Sequence, residues 1–213
     1  MIFEKEFKDA LLDLPVKEKD KLLLRLLKRD VPLANQLYFE LVSTQTVEER
    51  RSELEEMIVK RVAMMTKQSS SIQDLFLKMR SLSGDITEQV KITKDKFGEI
   101  SLNLLMLNEI LQSNQPKITF FAHRKAQKFG IYIIARAFKL LVLIKSMHED
   151  YLVDFRADLE TLGERIEQNE LLNKTASQHG LELDWLLSGE IPDNIKERQD
   201  ALRKKGFLTF VIN

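Results

Sequence analysis

Two acidic pairs in this chain have the spacing that sets hard oxygen ligands one helical turn apart, Glu53-Leu-Glu-Glu56 and Glu197-Arg-Gln-Asp200. Residues three apart share a helix face, and such a pair can hold a magnesium ion bridged to a substrate phosphate. The two pairs lie near opposite ends of the chain. Glu53 and Glu56 also belong to the run EERRSELEE, which reads equally as a solvated helix face laced by i,i+4 ion pairs. Histidine offers less. Position 152 is Leu, so His148-Glu149 does not extend to H-E-x-x-H, and no Glu stands three residues before His123, His148 or His179. The seven glycines never approach the spacing of a dinucleotide or P-loop turn, and no G-x-S-x-G elbow occurs. The chain has no cysteine, which removes thiol nucleophiles, disulfides and Cys-ligated metals together. No cofactor is expected, and Glu53 and Glu56 are the remaining metal-ligand candidates.

The sharpest charge segregation lies between Ile110 and His148, where no Asp or Glu occurs. This segment, 117–145, carries Lys117, Arg124, Lys125, Lys128, Arg136, Lys139 and Lys145, with Phe120, Phe121 and Phe129 interleaved. Arg124, Lys125 and Lys128 fall within about one helical turn. With Arg136 they are the anion-binding candidates, because bases beside aromatics can contact phosphates and stack nucleobases. The plainer alternative places the aromatics in a core and the bases against the acidic segment 150–170. Lys21, Arg25 and Lys28 share one side of their helix and form a second basic face.

The elements that would position these residues are helices. Leu, Lys, Glu and Arg dominate, and β-branched alternation is nearly absent. The fold class expected is all-α, an elongated antiparallel helical bundle with long heptad-striped helices. Helices are predicted at about 3–13, 16–29 and 32–43, with Pro15 and Pro32 at helix starts. Thr46-Val-Glu-Glu49 is a capping box that opens a helix with the apolar face Leu54, Ile58, Val62 and Met65. TKQSSS at 66–71 is a loop within a single domain 1–213, or the end of an N-terminal helical subdomain 1–66. Ile86, Val90, Thr93, Phe97, Ile100, Leu104, Leu107 and Leu111 are spaced alternately by four and three. That heptad stripe predicts one helix over 85–113 with Gly98 in its interior, and Pro116 is expected to end it. A greasy core helix follows at 130–148, then a second stripe, Leu152, Phe155, Leu159, Leu162 and Ile166. Pro192 precedes the last helix. The closing GFLTFVIN is expected to be a docked tail or a short strand.

Two segments resemble known families. The Glu53/Glu56 and Glu197/Asp200 pairs are similar to the ExxE and ExxD pairs with which all-α nucleoside triphosphate pyrophosphohydrolases hold magnesium, although that family keeps its pairs close in sequence. The phrase LNKTASQHGLELDWLLSGE, beginning at Leu172, resembles the closing helices of Cro/repressor-type helix-turn-helix domains. Those helices pack the domain and do not read DNA. The segment before the phrase carries seven acids against Arg156 and Arg165, a surface that phosphates repel, so the resemblance implies no DNA-contacting position here. Gly180 instead suits a helix C′ position and Asp184 the start of a short helix.

Bulk properties narrow the function classes. The 213 residues are 44% hydrophobic and 31% charged, and 33 basic residues balance 33 acidic ones. Nothing global draws the chain to nucleic acid or an anionic membrane. MIFEKEFKDALLDL mixes charges from residue 4 and does not read as a signal peptide. GIYIIARAFKLLVLIK carries Arg136 and Lys139 and is too short for a bilayer. The expectation is a cytoplasmic, non-enzymatic helical protein acting through macromolecular association, with a protein partner or with itself. The alternatives are nucleic-acid or anionic-ligand binding through 117–145, and an all-α magnesium-dependent nucleotide pyrophosphohydrolase.

Overall fold

A chain rich in strong helix formers and poor in Gly and Pro buries its apolar stripes by packing helix on helix. The computed structural model describes residues 4–120 and 123–209, with the side chains of residues 117, 119, 120, 123–125 and 149 outside that description. It is an all-α bundle. The described residues form α1 (Lys5–Leu12), α2 (Val16–Leu27), α3 (Val31–Leu41), α4 (Val47–Gln68), α5 (Ile72–Thr93), α6 (Lys96–Phe120), α7 (His123–Lys145), α8 (Leu152–Glu167), α9 (Glu170–Gln178), α10 (Asp184–Leu187) and α11 (Ile195–Lys204), and no strand. None of these helices is long and apolar enough to cross a membrane.

Helix starts follow the local chemistry. Thr46 Oγ1 accepts from the Glu49 amide at 3.1 Å, and the Glu49 carboxylate accepts from the Thr46 amide at 2.8 Å, which is the expected capping box. Pro15 and Pro32 stand at the starts of α2 and α3. The break between α4 and α5 is only three residues, Ser69–Ser71, and Ser71 caps α5 through the Asp74 amide. One continuous apolar core runs across that break, from Ile58, Val62 and Met65 of α4 to the C-terminal helices.

The long heptad stripe is the main correction. It does not lie on one helix over 85–113: α5 ends at Thr93, Lys94 takes a left-handed φ of 59°, and α6 starts at Lys96. Ile86, Val90 and Thr93 belong to α5, and the residues from Phe97 onward belong to α6. A stripe that keeps its phase through a tight turn suits an antiparallel hairpin as well as a straight helix, because both members turn the same face inward. Asp95 makes the break. Its Oδ1 accepts from the Gly98 amide at 2.8 Å, so Gly98 lies in the first turn of α6 and not mid-helix. A Cβ on Gly98 would come within 2.2 Å of Asp95 Oδ2. Pro116 does not end its helix, and α6 continues to Phe120. Pro116 and its neighbours Gln112 and Ser113 are exposed, so water reaches the backbone where the ring removes a hydrogen bond.

Helix α6 is the axis of the bundle. Helix α4 runs parallel to it, with Arg51 at Asp95 and Thr66 at Asn114. Helix α8 also runs parallel, with Phe155 on Phe97, Asn108 bonded to the Asp158 carbonyl and Arg165 to Gln112. Helices α5 and α7 return antiparallel on the other side and meet through the edge-on pair Phe76–Tyr132. Phe155, Leu159, Leu162 and Ile166 of the second stripe are buried.

The C-terminal layer is built from helix ends. Helix α9 closes in a Schellman motif: Gly180 has φ 72°, its amide bonds Ser177 O, and the Leu181 amide bonds Ala176 O. Trp185 of α10 is buried edge-on against Phe138 of α7. The tail docks as far as it is described, with Leu208 buried; residues 210–213 lie outside the described residues.

The Leu208 amide donates to His179 Nδ1 at 3.0 Å, and burial lowers the imidazole pKa below its ordinary value. A protonated Nδ1 has no lone pair to accept with, so docking selects the neutral ring. The folded chain then binds fewer protons than the unfolded one, and stability rises with pH through this window. The contribution is complete above about pH 6.5 and is lost as pH falls through the lower folded-state value. An NMR titration of His179 should show a midpoint below the usual imidazole value, with the Leu208 amide losing protection over the same range. A midpoint at or above that value contradicts the assignment.

Candidate functional site

The surface departs from the rest of the fold at the N-terminus. Helices α1, α2 and α3 contribute no buried residue. Of the seventeen large apolar side chains that are exposed among the described residues, eleven fall between Phe7 and Val42. Leu12, Val16, Leu24 and Leu41 are 60–78% exposed. Helix α2 packs on α3, and α3 packs on α5. Isolated exposed leucines are ordinary, but here they are concentrated on three consecutive helices.

Local sequence explains why these helices form without burial. Asp30 caps α3 through the Leu33 amide at 3.1 Å, and the Lys19 ammonium bonds the Leu12 carbonyl at 2.6 Å across the α1–α2 turn. Along α2, Val16, Leu23 and Leu27 fall on one stripe, flanked by Leu24 and Leu26. Lys17, Lys21, Arg25 and Lys28 line its edge at intervals of four, four and three.

The basic segment is partly neutralised within the fold. Lys139 pairs with Glu99 of α6 at 2.6 Å, and Lys145 pairs with Asp193 at 2.7 Å. The Lys145 ammonium holds the Asp193 carboxyl below the usual carboxylate range. Arg136 is half-buried, with its guanidinium 5.1 Å from the centre of the Tyr132 ring. Phe129 is core, and Lys128 is exposed. The side chains of Lys117, Arg124 and Lys125 lie outside the described residues. Among the described residues the pairs of Lys139 and Lys145 run to α6 and to the loop before α11, and neither is to the acidic segment 150–170.

The carboxylate pairs are not brought together. Glu53 accepts from Gln45 Nε2 at 2.7 Å, and Glu56 pairs with Lys60 at 3.0 Å on an exposed face. Helix α4 packs on α5 and α6, whereas α11, which carries Glu197 and Asp200, packs on α7. Among the described residues no three His, Asp or Glu side chains converge as metal ligands would. Glu53, Glu56, Glu197 and Asp200 all lie on exposed helix faces.

Sequence reasoning missed a groove of about 570 Å³ between α4 and α8, floored by Ser101 and Leu105 of α6 and rimmed by Glu55, Glu56 and Asp158. Its signal was present. Ser101, Leu105, Asn108 and Gln112 follow the same four-three-four spacing as the core stripe, on a face where small and polar residues replace leucines. No protein family, characterised protein or solved structure matches this chain.

Proposed function

We propose that this chain acts in the cytoplasm as a non-enzymatic association module that binds another protein chain through the exposed apolar face of α1–α3. The observation that carries this reading is the contrast within one molecule. Helices α4 to α11 bury their stripes in one core, while α1 to α3 fold with none of their apolar side chains buried. Helices of eight to twelve residues are marginal in water on propensity alone, and a docking partner supplies the burial they lack. The absence of cysteine suits a reducing compartment.

A photo-crosslinking side chain at Leu24 should give discrete protein adducts in living cells, and the same group at exposed Gln168, just after α8, should not. With the crosslinker kept at Leu24, substituting Leu23 and Leu26 together by Gln should abolish those adducts while leaving thermal stability within about 0.5 kcal/mol per site, as surface changes do. Equal labelling at both positions, or adducts from position 24 that survive the Leu23 and Leu26 substitutions, would overturn the reading.

A further inference from the structure

The bundle is an incomplete ring. Around α6 stand α4, α5, α7 and α8, and between α4 and α8 the half-buried Ser101 and Leu105 of the axis helix floor a gap. Val59 of α4, itself exposed, forms an apolar wall of this gap. The rim is acidic. Glu56 is held by Lys60, but among the described residues neither Glu55 nor Asp158 has an ion-pair partner. A gap with an apolar floor, two flanking helices and unneutralised carboxylates on its edges is shaped for an amphipathic helix with a basic margin.

One such helix is present in the chain itself. Helix α2 sets an exposed stripe of Val16, Leu23 and Leu24 beside Lys21, Arg25 and Lys28, and none of these three bases has an ion-pair partner among the described residues. Its own α2 does not fill the gap. Helix α3 holds the N-terminal helices on α5, and only residues 42–46 join α3 to α4. A second copy has no such constraint.

We propose that the groove between α4 and α8 receives α2 of a second copy of this chain, so that two copies related by a twofold axis exchange α2 helices. The proposal rests on the reading of α1–α3 as an association surface and names its partner. Charge complementarity selects the occupant: the chain is neutral overall, yet its basic helix edge and its acidic groove rim lie on separate surfaces of one molecule. Reciprocal insertion uses both surfaces on both copies and closes the assembly, as an isologous dimer requires. Two insertions per dimer bring the contact toward the ~1,200–2,000 Å² typical of specific interfaces.

Light scattering of the full chain should give twice the mass of one chain, and the dimer should weaken as salt rises. Glu55→Lys with Asp158→Lys places bases opposite bases and should raise the dimer dissociation constant at least about tenfold. Lys21→Glu with Arg25→Glu should do the same, and the four substitutions combined should restore the dimer with its charges exchanged. Unchanged circular dichroism identifies variants that remain folded, and the rescue by the combined variant does not depend on either pair alone. A monomer, a dimer indifferent to both reversals, or a combined variant that stays dissociated overturns the proposal. If groove reversal is silent while the Leu23 and Leu26 substitutions abolish crosslinking from position 24, the exchange fails and the association surface stands. If neither set changes anything, both fail.

Discussion

Replacing Asp95 by alanine lowers the stability of this protein by about 3–5 kcal/mol, the range seen when one partner of a desolvated ion pair is removed. Asp95 has two roles at once. Its carboxylate takes the Arg51 guanidinium through two bonds, 2.7 Å from Nε and 3.0 Å from Nη2, with the two side chains only 9% and 18% exposed. It also caps α6 at the Gly98 amide, a contact that contributes about 1 kcal/mol in typical helices. The alanine variant leaves Arg51 charged and largely desolvated over the Phe97 ring, 4.7 Å from its centre. At about 2–4 °C per kcal/mol for a chain of this length, melting should fall by on the order of 10 °C. Asp95→Asn keeps an acceptor for the cap and should lose less. Gly98→Ala gives a test of sign: in an ordinary helix interior it stabilises by about 1 kcal/mol, but here its Cβ meets the Asp95 carboxylate and the change destabilises. Urea denaturation measures all three. A cost below about 1 kcal/mol for Asp95→Ala would place the pair with ordinary surface bridges.

Phe138→Ala costs about 3–5 kcal/mol, as truncation of a fully buried aromatic does when the cavity cannot collapse. Phe138 of α7 has no exposed surface, and its ring meets Trp185 edge-on at 5.8 Å. Through this contact α7 joins the main bundle to the layer formed by α9, α10 and α11. The variant should still unfold in one transition, shifted as a whole, because Phe138 and Trp185 share one continuous core. A double-mutant cycle with Trp185→Ala should give a coupling of about 0.5–1.5 kcal/mol, the range for specific aromatic pairs. Two separated transitions in calorimetry would show that the C-terminal layer folds independently.

The helices were legible because their signals are local. The box at Thr46 and Glu49, the prolines at 15 and 32, and the glycine after α9 each satisfy or interrupt backbone hydrogen bonds within a few residues. The break at Lys94-Asp95 was not legible. A lysine in a left-handed conformation has no compositional signature, and the heptad phase of the α5 stripe continues into α6. Gly98 looked like a flaw in a long helix and is instead the residue that admits the Asp95 cap. For the basic segment, composition located the charges but not their partners, which come from Glu99 and Asp193 on other elements.

Alone, the sequence determined the all-α class, the placement of the caps and stops, and the residues that form the core stripes, since each depends on backbone geometry and helical periodicity. Only the tertiary structure decided which stripes are satisfied. Ser101 and Leu105 continue a periodic face of α6, yet they line an open groove because α4 and α8 stand apart there. The leucines of α2 follow the same period as buried ones and remain in solvent because α3 holds them outside the bundle. Burial belongs to the arrangement of several helices around a common core, and no single helix carries that information.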